Sequence, residues 1–471
     1  MKFGILIAAA LAALPSLSFA QTVQQLKNQP PDGAQLTFQL TDGTVLAQSY
    51  NNANFYVLTP DKSGNYVNGT WKQVGSLQSG YSPSAEASQV LADGRVLVEG
   101  GEYNFGAFAL TNLGAIYDPT KGTWAAVKPP KGWKNIGDSP SAVLPNGHFL
   151  VGDKLHKRGA ELDPKTMTWT AVNYKGKNDF NAEEGWTLMP DGSVLTYDVK
   201  DHPRSEEYIP KRGVWKSLGS TVADLQAPDC FGQCCLNYPP KNKCYYPPGE
   251  VGPAVLRPDG TVFATGASDH TAIYTPGSGW AAGPNFPNGD DAADNFATLL
   301  TDGDVLVQGN SGTLYDFNGM TFTSTGANGG FGSLMILPTG QVLIGGSEVY
   351  NSTGTYKSAW QPTITNSPST VTRGSTYQIS GTQFNGLSQA GNSMGDEYQS
   401  STNYPLVQIT NNSTKDVFYA RTHDHSTMGV ATGKKTVSTN FDVPAGMETG
   451  ASSLVVIANG IPSNPVSVTV Q

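Results

Sequence analysis

Charged side chains are scarce in this chain of 471 residues: Asp, Glu, Lys and Arg make up only 14% of it. Basic residues are the scarcer sign, 29 against 38 acidic, and a net charge of −9 would repel phosphate backbones, which excludes nucleic acid as a partner. Beyond the first 20 residues no apolar run approaches the roughly 18–20 residues that a bilayer span needs, so membrane insertion is excluded too. Cysteine is confined to Cys230, Cys234, Cys235 and Cys244, and histidine to six positions. Glycine (54) and proline (31) are abundant instead, as in an all-β protein with many turns.

Residues 1–20 read as a secretory leader. Lys2 supplies the positive start, residues 3–14 the apolar core, and Ser18-Phe19-Ala20 a small-x-small cleavage site. A secreted, extracellular, monomeric protein is expected. In an oxidising compartment the four cysteines form two disulfides that staple one loop, with a thiolate metal cluster as the alternative. Acceptor sequons for glycosylation stand at Asn68, Asn351, Asn411 and Asn412.

One phrase is written seven times. Its clearest copies are SAEASQVLADGRVLVEGG (residues 84–101) and GPAVLRPDGTVFATG (residues 252–266), each an apolar run, a tight turn and a second alternating run. That is a β-hairpin signature. The turns fall at Asp42, Asp93, Asn146, Asp191, Asp259, Asp302 and Thr339, spaced 51, 53, 45, 68, 43 and 37 residues apart. A strand-only repeat of roughly 40–50 residues marks a propeller blade. A second beat follows most hairpins, a Tyr strand and then a Trp: Tyr117 and Trp124, Tyr208 and Trp215, Tyr274 and Trp280, Tyr350 and Trp360. Trp71 and Trp169 keep the beat without the tyrosine, and Phe322 replaces Trp after Tyr315. These rings are expected to pack blade against blade.

The rhythm stops after Trp360, and residues 362–370 (PTITNSPST) read as a linker. Six or seven short alternating stretches follow in roughly 100 residues, the pattern of an immunoglobulin-like β-sandwich. The fold expected is all-β: a seven-bladed β-propeller over residues 21–362, then an immunoglobulin-like domain over residues 363–471. The longest loop of the second domain, residues 383–403, is expected to be mobile or functional.

Equivalent strand entrances converge on a propeller axis. Counting back from each turn places Glu86, Asp138, Glu183 with Glu184, Glu250 and Asp294 at five entrances. Carboxylates gathered at one mouth accept hydrogen bonds from sugar hydroxyls, hold a hard cation such as calcium, or run glycoside chemistry as a pair. They also serve merely to bond neighbouring backbone amides. His423 and His425 flank Asp424 at the end of a strand in the second domain. Residues two apart on a strand share a face, so both imidazoles are candidates for one metal.

The hairpins, the Gly100-Gly101 and Gly345-Gly346 endings and the Tyr…Trp beat resemble kelch-type propellers. With a leader and an appended immunoglobulin-like domain, the layout is similar to the secreted galactose oxidase and glyoxal oxidase relatives. The resemblance implies one copper between two tyrosines and two histidines, with a cysteine cross-linked to one tyrosine. This chain departs from that set. The first tyrosine's register holds Ala85 and Glu86, with Tyr81 four residues early, and the Tyr-His register holds Phe331-Gly332. Every cysteine sits in a later insertion, and only Thr422-His423 or the nearby His425 resembles a ligand position. Copper is therefore disfavoured. The reading is a secreted propeller that binds an extracellular carbohydrate or cell-surface protein at its axial mouth, and the alternative is a copper-radical oxidase acting on sugars or aldehydes.

Overall fold

The computed structural model describes residues 22–50, 52–227, 249–329, 332–391, 393–394, 398–399 and 401–471. The leader, the four cysteines and Phe331 lie outside the described residues.

Six of the seven repeats become hairpins for the same local reason. In the first, the Gly43 N–H donates to Leu40 O at 3.1 Å and the Leu40 N–H to Thr44 O at 2.8 Å. Asp42 Oδ1 accepts the Thr44 N–H at 3.0 Å, bracing the turn from inside. Asp93, Asn146, Asp191, Asp259 and Asp302 repeat that contact. Gly43 is required twice over. Its φ is +79°, and a Cβ there would lie 2.2 Å from the Tyr419 ring of the C-terminal domain.

Among the described residues the hairpins grow into six four-stranded antiparallel sheets and one that Ser393–Met394 extends to five strands. The first sheet is Leu36–Gln39, Val45–Gln48, Phe55–Thr59 and Thr70–Gln73. The first strands touch one another around a centre: the first sheet's with the second's and seventh's, and the sixth's with the fifth's and seventh's. Such first strands, Leu36–Gln39 and Phe296–Leu299 among them, are buried throughout, whereas the fourth strand Thr70–Gln73 is largely exposed. The chain is nearly all β, with no α-helix among the described residues, and it forms a β-propeller.

The aromatic beat has a packing role. Trp71, Trp124, Trp169, Trp215, Trp280 and Phe322 all lie in fourth strands. Three of them reach a neighbouring sheet: Trp124 lies 4.5 Å from Phe55, Trp280 lies 6.2 Å from Tyr197, and Phe322 lies 5.9 Å from Phe263 (ring centroids). Trp360 breaks the pattern. It sits in the 3₁₀ turn Ser358–Trp360 and covers Gly303. The fourth strand of the last sheet comes instead from the other end of the chain. Thr22–Gln25 pairs antiparallel with Glu348–Asn351, Val23 standing opposite Tyr350. Deleting residues 22–25 is expected to lower the melting temperature and promote self-association, seen by light scattering, because it bares the edge of Glu348–Asn351.

The C-terminal domain has its own core of Val371, Ile379, Val407, Ile409, Phe441 and their neighbours. Val417–His423 joins its two halves. Residues 417–420 pair with Leu406–Asn411, and residues 421–423 with Val437–Asp442. The stretch read as a linker already contributes Thr363–Asn366, paired with Thr376–Thr382.

The long loop of this domain is threaded into the propeller. Ala390 O accepts the Leu299 N–H at 3.2 Å, and Ser393–Met394 pairs with Phe296 and Ala297. The return limb lies along the second sheet. The Tyr398 N–H donates to Glu86 O at 3.1 Å, and Ser88 Oγ donates to Gln399 O at 3.2 Å. Gln35 and Ser84 meet the Tyr398 hydroxyl, and the Tyr404 hydroxyl bonds Gln39 O. The described part of the loop is thus held by hydrogen bonds to the inner strands of several sheets.

Candidate functional site

Three of the entrance acids share one end of the axis, joined by residues that counting back from the turns does not find. Lys154 follows the strand Phe149–Asp153 and is 6% exposed. Its ammonium makes ion pairs with Asp138 and Glu183, which precede the third and fourth sheets. Glu102 lies just past the strand Val96–Glu99 and is near enough to Lys154, Glu183 and Asp294 to feel their charges. Burial raises its carboxyl to about 7, the Lys154 charge opposing the rise and Glu183 and Asp294 adding to it. Asp138 is pushed well above its ordinary value by burial, against Lys154 and with Glu183 and Glu102. Its Oδ1 is buried without a hydrogen-bond partner. A forward count would have found Glu102 and Lys154. The second strand of a hairpin runs back to the entrance, nine residues after Asp93 and eight after Asn146.

An aromatic hairpin stands beside these acids. Tyr103–Asn104 pairs with Ala107–Phe108 and with Pro83–Ser84. It exposes Tyr103, Phe105 and Phe108, at 36%, 54% and 37%. Tyr103 and Phe108 meet edge to face at 6.2 Å. The Tyr103 hydroxyl is raised to about 12 by burial and by Glu102, Asp138 and Asp294, which places it against the carboxylates.

Two other entrance acids, Glu184 and Glu86, lie apart. Glu184 belongs to a closed cage around Lys177, whose side chain is fully buried. The Lys177 ammonium is 2.9 Å from Glu184, 3.0 Å from Asp179, 3.1 Å from Glu206 and 3.4 Å from Asp198. It also sits 5.3 Å from the Trp215 ring. Burial disfavours this ammonium, but the four carboxylates together lift it well above its ordinary value. Asp179, Glu184 and Asp198 are the one group of three potential metal ligands among the described residues whose donor atoms converge within 4.8 Å. Lys177 Nζ lies in the midst of them, so an ammonium does there what a metal ion would. Glu86 is fully buried near Gln48, its carboxyl raised by burial to about 8, with neither oxygen in a hydrogen bond. Glu250, at the entrance of the fifth sheet, pairs its backbone with Ala227.

The two histidines have different partners. The strand ends at His423, and Asp424 takes a left-handed φ of +52°, so the two-residue period does not carry across it. His423 meets Asp424 at 2.8 Å through Nδ1 and Asp442 at 3.2 Å through Nε2. His425 turns to Thr439, 2.9 Å from Nδ1, and stacks on Tyr404 at 6.0 Å. Burial holds its pKa down at about 3. Its backbone N–H donates to Ala92 O beside the second hairpin turn, the far end of the sheet from Glu102.

No protein-family model and no curated protein sequence matches the chain. Solved structures are similar to it in fold. A fungal alcohol oxidase of the AA5 family, solved in complex with copper, has a TM-score of 0.50 at 14% identity, covering 96% of this chain and 98% of that one. The extracellular domain of a one-component system from B. thetaiotaomicron has a TM-score of 0.47 at 12% identity, covering 96% of this chain and 58% of that one. Virginiamycin B lyase from Staphylococcus aureus has a TM-score of 0.47 at 9% identity, covering 70% and 98%. The chain is therefore a β-propeller with a distant structural likeness to a copper oxidase. The residues do not fit that metal. Gly332 lies against Gly345, and five histidines are engaged elsewhere: His148 with Glu161, His156 with Asp153, His202 and His270 with Asp224, and His423 with Asp424 and Asp442. His425 keeps a buried Nε2 without a hydrogen-bond partner, but among the described residues it belongs to no group of three converging metal-ligating side chains.

Proposed function

We propose that this protein is a secreted, seven-bladed propeller with an immunoglobulin-like domain, and that it binds an extracellular carbohydrate at its axial mouth. The observation that carries this reading is the exposed hairpin of Tyr103, Phe105 and Phe108, which follows Glu102 directly in the chain and whose Tyr103 feels the charges of Glu102, Asp138 and Asp294. A pyranose ring has an apolar face and a polar rim. Aromatic rings with an exposed apolar surface stack on the first, and carboxylates accept hydrogen bonds from the hydroxyls of the second. Lys154 completes the set as a donor for ring and hydroxyl oxygens.

The likeness to the fungal alcohol oxidase supports the alternative, a copper-radical oxidase. The binding reading is preferred because the chain supplies aromatic and carboxylate contacts for a sugar but not the copper ligands. A glycan array on the purified chain tests it, followed by calorimetry on the best ligand. Tyr103→Ala and Phe108→Ala are each expected to weaken that ligand by roughly tenfold, as loss of a central aromatic anchor does, with little change in melting temperature because both rings are exposed. Unchanged affinity in both variants, or peroxide formation from sugars after copper loading, would move the assignment to the oxidase.

A further inference from the structure

We infer that the sugar taken at this mouth carries positive charge, an amine-bearing saccharide of the glucosamine type. The inference rests on the carbohydrate reading above and names its ligand class. The Lys154 ammonium is ion-paired with Asp138 and Glu183, and the carboxyl of Glu102 lies near enough to feel the charges of Lys154, Glu183 and Asp294. Lys154 already contacts Asp138 and Glu183, yet the second oxygen of Asp138 remains buried with no hydrogen-bond partner. An unmatched acceptor in a negative pocket calls for a cationic donor, because a buried carboxylate oxygen left alone is costly. A uronic acid would meet like charge here, and a neutral sugar would leave the excess negative charge uncompensated.

The aromatic hairpin favours the same ligand. Tyr103 and Phe108 present ring surface that attracts ammonium groups as well as the apolar face of a pyranose. A lone metal ion suits the mouth less well. Among the described residues only the Lys177 cage brings three carboxylates within one coordination sphere. The mouth carboxylates are spread over four sheets, a spacing suited to a ligand with several hydroxyls and an amine rather than to a single ion.

Calorimetry of the full chain at a series of pH values from about 6 to 8, the window in which the Glu102 carboxyl, raised to about 7, passes into its charged form, decides the matter. The probes are a glucosamine tetramer, its N-acetylated counterpart, cellotetraose and tetragalacturonate. The free-amine tetramer is expected to bind at least roughly tenfold more tightly than the two neutral sugars, an advantage that shrinks at high salt, and the uronate is expected not to bind. Asp294→Asn, a change at an exposed position, and Glu183→Gln are each expected to weaken the free-amine tetramer several-fold more than the neutral sugars, which shrinks the amine preference. Equal binding of amine and neutral tetramers overturns the charge inference and leaves the carbohydrate reading standing. Binding of no sugar at all overturns both.

Discussion

Lys177→Met is expected to destabilise the protein by about 3–5 kcal/mol near neutral pH, the usual cost of leaving buried charge uncompensated. Methionine fills similar space, so lost packing contributes little. The loss comes from Asp179, Glu184, Asp198 and Glu206, four carboxyls arranged around a fully buried ammonium. Burial already raises Glu184 well above its ordinary value and Glu206 to about 7, and Lys177 opposes the rise in both. Without it their folded-state pKa values climb further above the unfolded ones. Raised carboxyls contribute no penalty below the unfolded pKa, where both states are protonated, and a growing one as pH rises toward the folded value. The variant should therefore approach wild-type stability near pH 4 and fall away from it by pH 8. Urea denaturation at the two pH values measures this. An equal deficit at both would assign the loss to packing and remove the electrostatic account of the cage.

The order of strands was legible in the sequence because each turn carries its own chemistry. A side chain at Asp42 or Asp259 accepting the N–H two residues on, followed by glycine at positive φ, is a local device that needs no tertiary contact to be recognised. The presence of strands in the C-terminal domain was legible for a similar reason, the two-residue alternation seen in Val437–Asp442. Closure of the ring was not. Thr22–Gln25 is a short exposed strand with no phrase of its own, and only its pairing with Glu348–Asn351, more than 300 residues away, gives it a place. The periodic Trp invited the opposite assignment for Trp360, which a 3₁₀ turn removes from the sheet.

The grouping of acids at the candidate site was half legible. Counting back from the turns located Asp138, Glu183 and Asp294, since strand entrances do converge there. It also gathered Glu184 and Glu86, which differ in what surrounds them. Glu183 has a left-handed φ of +56°, and the neighbouring Glu184 points instead into the Lys177 cage. A one-residue step thus separates a side chain at the mouth from one in the interior. The partners Lys154 and Lys177 are single lysines without a motif. Their role is set by burial, which a sequence does not state.

Glu86→Gln is expected to stabilise the protein, and to do so more strongly as pH rises. Glu86 is fully buried, and burial lifts its carboxyl from 4.5 to about 8, the residue's own N–H and the nearby Gln48 amide holding it down only in part. At about 1.36 kcal/mol for each tenfold change in protonation equilibrium, that displacement amounts to roughly 5 kcal/mol. The sign follows from linkage. Below the unfolded pKa both states are protonated and the residue costs nothing; between 4.5 and about 8 the unfolded chain releases a proton that the folded chain keeps, so stability falls as pH rises. Glutamine removes that dependence while keeping the shape. It also supplies an N–H donor beside Gln48, whose Oε1 is buried without a partner. Melting curves should coincide for variant and wild type near pH 4 and separate steadily toward pH 8, the variant melting higher. A variant that melts lower than wild type at pH 8 would mean that Glu86 is ionised in the folded protein and neutralised by a cation in the second sheet.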